Sequence, residues 1–124
     1  MLDIGFYSND GKPPITIDVS EALYQWLIRS DFAEIGVAHP HSLRVDDEEI
    51  VLDVVDLNKG TIRNRQRFRD FLVEAIARES NDMLIRLGVS PSKKAYLDAT
   101  YNLRKLQALR ACIEDESYCF LHKA

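Results

Sequence analysis

Alternating apolar residues open the chain and predict a β-hairpin. Apolar side chains occupy every second position from Leu2 to Phe6, which is the spacing of a strand with one buried face, so we predict a strand over residues 2–7. Residues 8–14 (SNDGKPP) are typical of a turn, because Asn, Asp and Gly tolerate left-handed backbone and proline interrupts a ladder. Residues 15–17 can then pair back as a second strand.

A first helix is predicted from a capping pattern. Asp18 followed three residues later by Glu21 favours a capping box with Asp18 as the N-cap. Apolar residues then recur at helical spacing and predict a helix to about Ser30. Trp26 lies on this apolar stripe, so we expect it in the core. Tyr24 lies off the stripe, so we expect it to be exposed.

The middle of the chain shows a weaker pattern. Residues 32–45 contain Gly36 and Pro40 and predict a loop, with room for one short helical turn. Residues 50–56 are apolar and β-branched, which predicts a strand buried on at least one face. An acidic run at 46–49 precedes that strand.

Two long amphipathic helices dominate the second half. The apolar period changes to the helical one from Thr61, and Gly88 supplies a C-terminal stop. Ser90-Pro91 then restarts a helix that runs to about Asp115. So short a connection makes the two helices antiparallel neighbours. Residues 118–122 can return as a strand to the sheet.

These elements predict an α+β fold in one domain, residues 1–124. In it, a small and mostly antiparallel sheet packs against one short helix and a long antiparallel helical hairpin. The length of 124 residues, with 46% apolar and 29% charged residues, is typical of one soluble globular domain. The chain has no apolar run of about 18 residues and no basic segment followed by an apolar one, so we expect a cytoplasmic protein that binds no membrane.

No catalytic or metal-binding motif is present in the sequence. It lacks a glycine-rich phosphate loop, a Gly-x-Ser-x-Gly motif and a His-Glu-x-x-His motif. The pairs His39/His41 and Cys119/His122 do not supply the four convergent ligands of a zinc site. Cys112 and Cys119 are expected to be reduced core residues. We therefore predict no enzyme activity, no cofactor and no metal.

Charge is distributed unevenly along the chain, whose net charge is −4. Residues 1–60 carry 12 acids and 4 bases (−8), and residues 61–124 carry 12 bases and 8 acids (+4). Halves of opposite sign can attract each other within one fold or present two faces to partners.

Four arginines at alternate positions form the most basic segment, TIRNRQRFR. On one helix they would divide between two faces. If the helix began only near Gln66, the arginines before it would lie on an extended segment, which could point Arg63, Arg65 and Arg67 to one side. We favour an internal match with the acids of Asp46–Asp56 over an external acidic partner. The alternative function is a nucleic-acid or phosphate-ligand binding module that uses this tract, and we disfavour nucleic acid because the protein is acidic overall. The four arginines are Arg63, Arg65, Arg67 and Arg69.

The acidic run has two interpretations. It can be a solvated turn before a strand, or an exposed surface that steers and docks a basic partner. In the second case Tyr24 would add area and a hydroxyl group to the partner-binding surface. The four acids are Asp46, Asp47, Glu48 and Glu49.

In size, charge and lack of a catalytic motif, the whole chain resembles the immunity proteins of bacterial toxin systems. That resemblance carries no diagnostic motif, so it assigns no family residue to a position here. It implies that the chain occludes the active site of a cognate toxin, with the acidic run meeting a basic cleft. A homodimer through the long helices is compatible with this hypothesis.

Overall fold

One antiparallel five-stranded sheet with helices packed on one face forms the fold. The computed structural model describes residues 2–88 and 92–123. In the sheet, the strand order is β2-β1-β5-β4-β3. The predicted α+β class, with its long helical hairpin, is confirmed. The elements in chain order are β1 (Leu2–Tyr7), β2 (Ile15–Val19), α1 (Glu21–Ile28), β3 (His39–Val45), β4 (Glu48–Asp56), α2 (Asn64–Leu87), α3 (Lys93–Glu114) and β5 (Phe120–His122).

The core lies between the centre of the sheet, the first half of α2 and the second half of α3. Phe6 of β1 pairs in register with Leu121 of β5, which pairs with Val55 of β4. These three side chains are at most 1% exposed and share one buried cluster with Phe68 of α2 and Leu109 of α3. Because the cluster joins strands and helices, it fixes the start of α2 beside the sheet.

The N-cap of α1 is Ser20, so the prediction of Asp18 as the cap was wrong. The Ser20 hydroxyl accepts a hydrogen bond from the Leu23 backbone N–H at 3.2 Å. Asp18 lies in β2, where the strand continues two residues further than predicted. Its carboxylate is 3.4 Å from Lys105 Nζ. Serine is as good a cap as aspartate, so local propensity did not separate the two positions.

Strand β3 occupies part of the segment predicted as a loop, and that prediction was wrong for residues 39–45. A short 3₁₀ turn at Asp31–Glu34 agrees with the expected helical turn. Pro40 suggested a loop, but β3 is an edge strand of the sheet. An edge strand leaves half of its N–H groups without a ladder partner, so one proline is tolerated there.

Half of the acidic run is a two-residue turn between β3 and β4. Asp46 and Asp47 have φ values of 52° and 62°, and Val45 pairs with Glu48 in register. Positive φ at both central residues is the pattern of a type I′ hairpin turn. Glu48 and Glu49 belong to β4, which therefore begins two residues before the predicted start at 50.

The long helices follow the prediction with small shifts at their ends. Helix α2 starts at Asn64 rather than Thr61, with Arg63 at the N-cap position. The predicted restart at Ser90-Pro91 lies outside the described residues, and Ser92 caps α3 by accepting from Ala95 N–H at 3.1 Å. Of the helices described, none is long and apolar enough to cross a membrane.

The aromatic residues of α1 exchange their expected positions. Trp26, expected in the core, is 46% exposed, with its ring centroid 6.0 Å from that of Phe71. Tyr24, expected to be exposed, is half-buried against the core cluster. Helix α1 has only eight residues and covers the core only in part. Some residues of its apolar stripe therefore stay exposed.

This exchange predicts different costs for two adjacent truncations. We expect Trp26→Ala to lower the free energy of unfolding by about 1 kcal/mol, the worth of one partly exposed aromatic contact. Leu27→Ala should cost about 3 kcal/mol, because Leu27 is fully buried. Urea unfolding of both variants measures the difference, and equal losses would contradict the position of Trp26.

Candidate functional site

A two-stranded β-arm projects beyond the rest of the sheet. Strand β5 is three residues long and pairs with β4 at Val55 and Asp56. Before those positions, β4 has β3 as its only strand partner within the described parts of the chain. We call residues 41–53 the arm and Asp46, Asp47, Glu48 and Glu49 its acidic tip.

The acidic tip is a free surface of negative charge. All four of its residues are exposed, and none forms an ion pair with any residue that the structure describes. Across the ladder, Arg44 lies opposite Glu49. Residues 39–56 hold six acids and one base, which gives −5 in one hairpin.

Apolar residues of the β3–β4 hairpin are buried at the base of the arm and within it. Val54 is fully buried although it alternates with Val55, which faces the helices. Leu43 of β3 is also buried, and the ring of His41 lies 4.9 Å from that of Phe120 on β5. The contact between His41 and Phe120 therefore connects the arm to β5.

Tyr24 does not join the acidic tip. It lies on α1, half-buried. No hydrogen bond recorded among the described residues connects it to the arm, so the predicted partner surface reduces to the four acids.

Arg65 is the buried member of the arginine tract and closes the C-terminal end of α3. Its side chain is 5% exposed. The guanidinium donates to the backbone carbonyls of Ile113 at 2.6 Å, Asp115 at 3.1 Å and Tyr118 at 2.7 Å. The last carbonyls of a helix lack intrahelical partners, so Arg65 acts as a C-terminal cap supplied by another helix.

The acids that match the arginines are Glu114 and Glu116, so the predicted pairing with Asp46–Asp56 was wrong. Glu116 accepts two hydrogen bonds from Arg63, at 3.0 and 3.3 Å. Arg65 Nε lies 2.8 Å from Glu116 Oε2. Glu114 Oε1 lies 3.1 Å from Arg69 Nε. The antiparallel hairpin brings the end of α3 beside the start of α2, and that predicted topology was a signal from which these partners could have been found.

The prediction that the arginines divide between two helix faces holds only in part. Arg65 and Arg69 are four residues apart and both contact the end of α3. Arg63 joins them because it is the N-cap, with ψ of 142°, and is not part of the helix. Arg67 is exposed and makes no ion pair with a described residue.

A pocket of about 210 Å³ opens beside these ion pairs. Its lining carries three arginines and two glutamates, a net charge of +1. The hydrogen bonds from Arg63 lower the pKa of Glu116 below its ordinary value, and the nearby charge of Arg65 adds to this effect. Glu116 is therefore an anion at neutral pH. The lining residues are Arg63, Arg65, Gln66, Arg69, Ile113, Glu114 and Glu116.

The pairs His39/His41 and Cys119/His122 belong to no ligand cluster in the described residues. No group of three or more His, Cys, Asp or Glu side chains there is placed to hold a metal ion. The His122 Nδ1 atom lies 3.0 Å from the carbonyl oxygen of Asp53. Both cysteines are free thiols, with Cys112 buried and Cys119 half-buried.

Comparison with known proteins does not assign the chain to a family. No protein-family model matches the chain, and no significant match exists among curated proteins or solved structures.

Proposed function

We propose that this protein is a binding module whose acidic arm docks into a basic cleft of a protein partner. The observation that carries the proposal is the contrast between the two charged regions. The arginine tract has carboxylate partners within the fold, whereas the four acids of the tip have no ion-pair partner among the described residues.

The shape of the arm suits insertion into a cleft. A two-residue turn makes the tip narrow, and the ladder of β3 and β4 supplies a stiff support behind it. A compact negative tip raises the rate of encounter with a basic surface and fixes the orientation of docking. Both effects are expected to weaken as salt is added.

The proposed class of partner is a bacterial toxin domain with a basic active-site cleft, with this chain as its cytoplasmic immunity protein. The resemblance in size and charge to immunity proteins supports this choice. Occlusion by a projecting acidic hairpin needs no catalytic residue in the inhibitor.

Nucleic-acid binding through the arginine tract has less support. Binding to a phosphate backbone needs several free cations on one surface. Here Arg65 is buried, and Arg63 and Arg69 are ion-paired, which leaves Arg67 as the arginine of the tract that is exposed and makes no ion pair with a described residue.

A growth-rescue experiment tests the proposal. The neighbouring reading frame is expressed in a bacterial host with the wild-type chain or with a neutral-arm variant, D46N/D47G/E48Q/E49Q. Asn-Gly is the preferred sequence of a type I′ turn, so the variant removes charge while keeping the hairpin. We expect the wild-type chain to restore growth and the neutral-arm variant to fail.

A matched control distinguishes loss of the charges on the arm from a general change in the net charge of the protein. The variant D10N/E34Q/D82N/D98N removes four other exposed acids, so both variants have a net charge of −4 + 4 = 0. The control variant should restore growth like the wild type. The proposal would be contradicted if the neighbouring reading frame did not inhibit growth when expressed alone, or if the neutral-arm variant restored growth to the wild-type level.

A further inference from the structure

From the pocket beside Arg65 we infer a second binding site, for a phosphate or phosphomonoester group, which the side chain of Glu116 occupies when no ligand is bound. The site lies between the start of α2 and the end of α3. It is separate from the acidic arm and does not depend on the proposed function.

The charge of the pocket favours an added anion. In a chain of net charge −4, the pocket lining carries +1. If the carboxylate of Glu116 left the arginines, the lining around the vacated position would carry +2. A phosphate dianion would neutralise that charge, and it offers one more acceptor oxygen than a carboxylate.

Arg65 supplies a fixed donor at the buried wall of the site. Two of its nitrogens are held by backbone carbonyls, so the guanidinium cannot turn away. Its Nε is buried and makes no hydrogen bond, although it lies 2.8 Å from Glu116 Oε2. The contact with Glu116 is therefore close but poorly directed. An oxygen placed along the Nε–H direction would satisfy a buried donor that is otherwise unpaired.

Glu116 can leave the site at low cost. Its side chain is 60% exposed, and it follows the end of α3 rather than lying within the helix. Its pair with Arg63 is exposed on both sides, and such pairs contribute little to stability. The buried guanidinium of Arg65 keeps its three backbone carbonyl acceptors when Glu116 leaves. Arg63, about half exposed, then loses its carboxylate partner and is free to close on the incoming group, while Arg69 stays paired with Glu114 at the rim of the site.

Backbone groups contribute little to this site. The N–H of Asn64 donates to the Lys59 carbonyl at 3.0 Å, and that of Arg65 donates to the Leu57 carbonyl at 2.8 Å. Two of the first N–H groups of α2 therefore already donate hydrogen bonds within the protein and are not available to a ligand. Recognition rests on the arginine side chains, which form the bidentate contacts that phosphate oxygens accept.

Removal of the internal carboxylate tests the site. Inorganic phosphate is titrated into wild-type protein and into Glu116→Gln, and amide chemical shifts are followed by NMR. We expect Glu116→Gln to bind phosphate roughly tenfold more tightly than the wild type, because the competing anion is gone. The shifted amides should cluster at residues 63–69 and 113–117. Adding Arg63→Gln and Arg69→Gln to Glu116→Gln should abolish saturable binding.

Glu74→Gln is the matched control, since it removes one exposed carboxylate that pairs with Arg78 elsewhere on α2. It should bind phosphate like the wild type. Equal tightening by Glu74→Gln would assign the effect to net charge and overturn the site. Absence of saturable binding to Glu116→Gln would overturn it as well.

Two further ligands distinguish the source of the phosphate group. Phosphoserine should bind Glu116→Gln about as tightly as inorganic phosphate, if one phosphomonoester fills the pocket. A short single-stranded oligonucleotide that binds far more tightly than both, and loses that advantage in Arg67→Ala, would overturn the single-group pocket in favour of nucleic-acid binding.

Discussion

Replacing Arg65 by alanine is expected to lower the free energy of unfolding by about 3–5 kcal/mol. The loss has two parts. Three backbone carbonyls at the end of α3 and the following turn, those of Ile113, Asp115 and Tyr118, lose a charged donor. A buried cavity also replaces the guanidinium. Helix α2 then loses its buried polar connection to the end of α3 and keeps the exposed ion pair of Arg69 with Glu114, so the helical hairpin should loosen where it meets β5.

Two variants make this expectation specific. Arg65→Lys keeps the charge but cannot span three carbonyls with one ammonium group, so it should recover only part of the loss. Arg67→Ala removes an exposed arginine of the same helix and should stay within about 0.5 kcal/mol of the wild type. Urea unfolding followed by far-UV circular dichroism measures all three variants. An Arg65→Ala protein with the wild-type midpoint would contradict the role of Arg65 as a cap.

The helical hairpin could be predicted because its sequence signals agree with one another. A long apolar stripe, the stop at Gly88 and a short connection all favour two antiparallel helices, and α2 and α3 run as expected. Strand β3 could not be predicted in this way. It forms because it pairs with β4 at the edge of the sheet, and the residue types at positions 39–45 do not indicate that pairing.

The partners of the arginine tract were missed because sequence distance was taken as spatial distance. The acids of Asp46–Asp56 are closer along the chain, but the antiparallel hairpin brings Glu114 and Glu116 to the start of α2. Burial of Arg65 was also invisible in the sequence. Nothing local separates it from Arg63 or Arg67, and only the packing of the α3 end against α2 does so.

The burial of Trp26 and Tyr24 shows the limit of periodicity for a short helix. Both residues fit a two-faced helix over residues 21–28, and the stripe predicted the wrong one to be buried. Which side of α1 is buried depends on its neighbours in the fold, such as Phe71 of α2, which contacts Trp26. A stripe on a longer helix, such as that of α2, is less sensitive to this choice.

Neutralising the acidic tip is expected to weaken partner binding by roughly 100-fold, about 3 kcal/mol, with little change in stability. The effect on binding follows from four exposed carboxylates concentrated at a narrow turn. The small effect on stability follows because none of the four makes an ion pair with a described residue, and because Asn-Gly suits the positive φ values at positions 46 and 47.

If the acidic tip is the docking surface, the dissociation constant of the partner complex should depend on its four carboxylates. It is measured by calorimetry at low and at physiological salt for the wild type, the neutral-arm variant and the D10N/E34Q/D82N/D98N control, each checked for an unchanged unfolding midpoint. We expect wild-type affinity for the control, and loss of both affinity and salt dependence for the neutral-arm variant. A neutral-arm variant that binds the partner as tightly as the wild type, with the same salt dependence, would contradict this expectation.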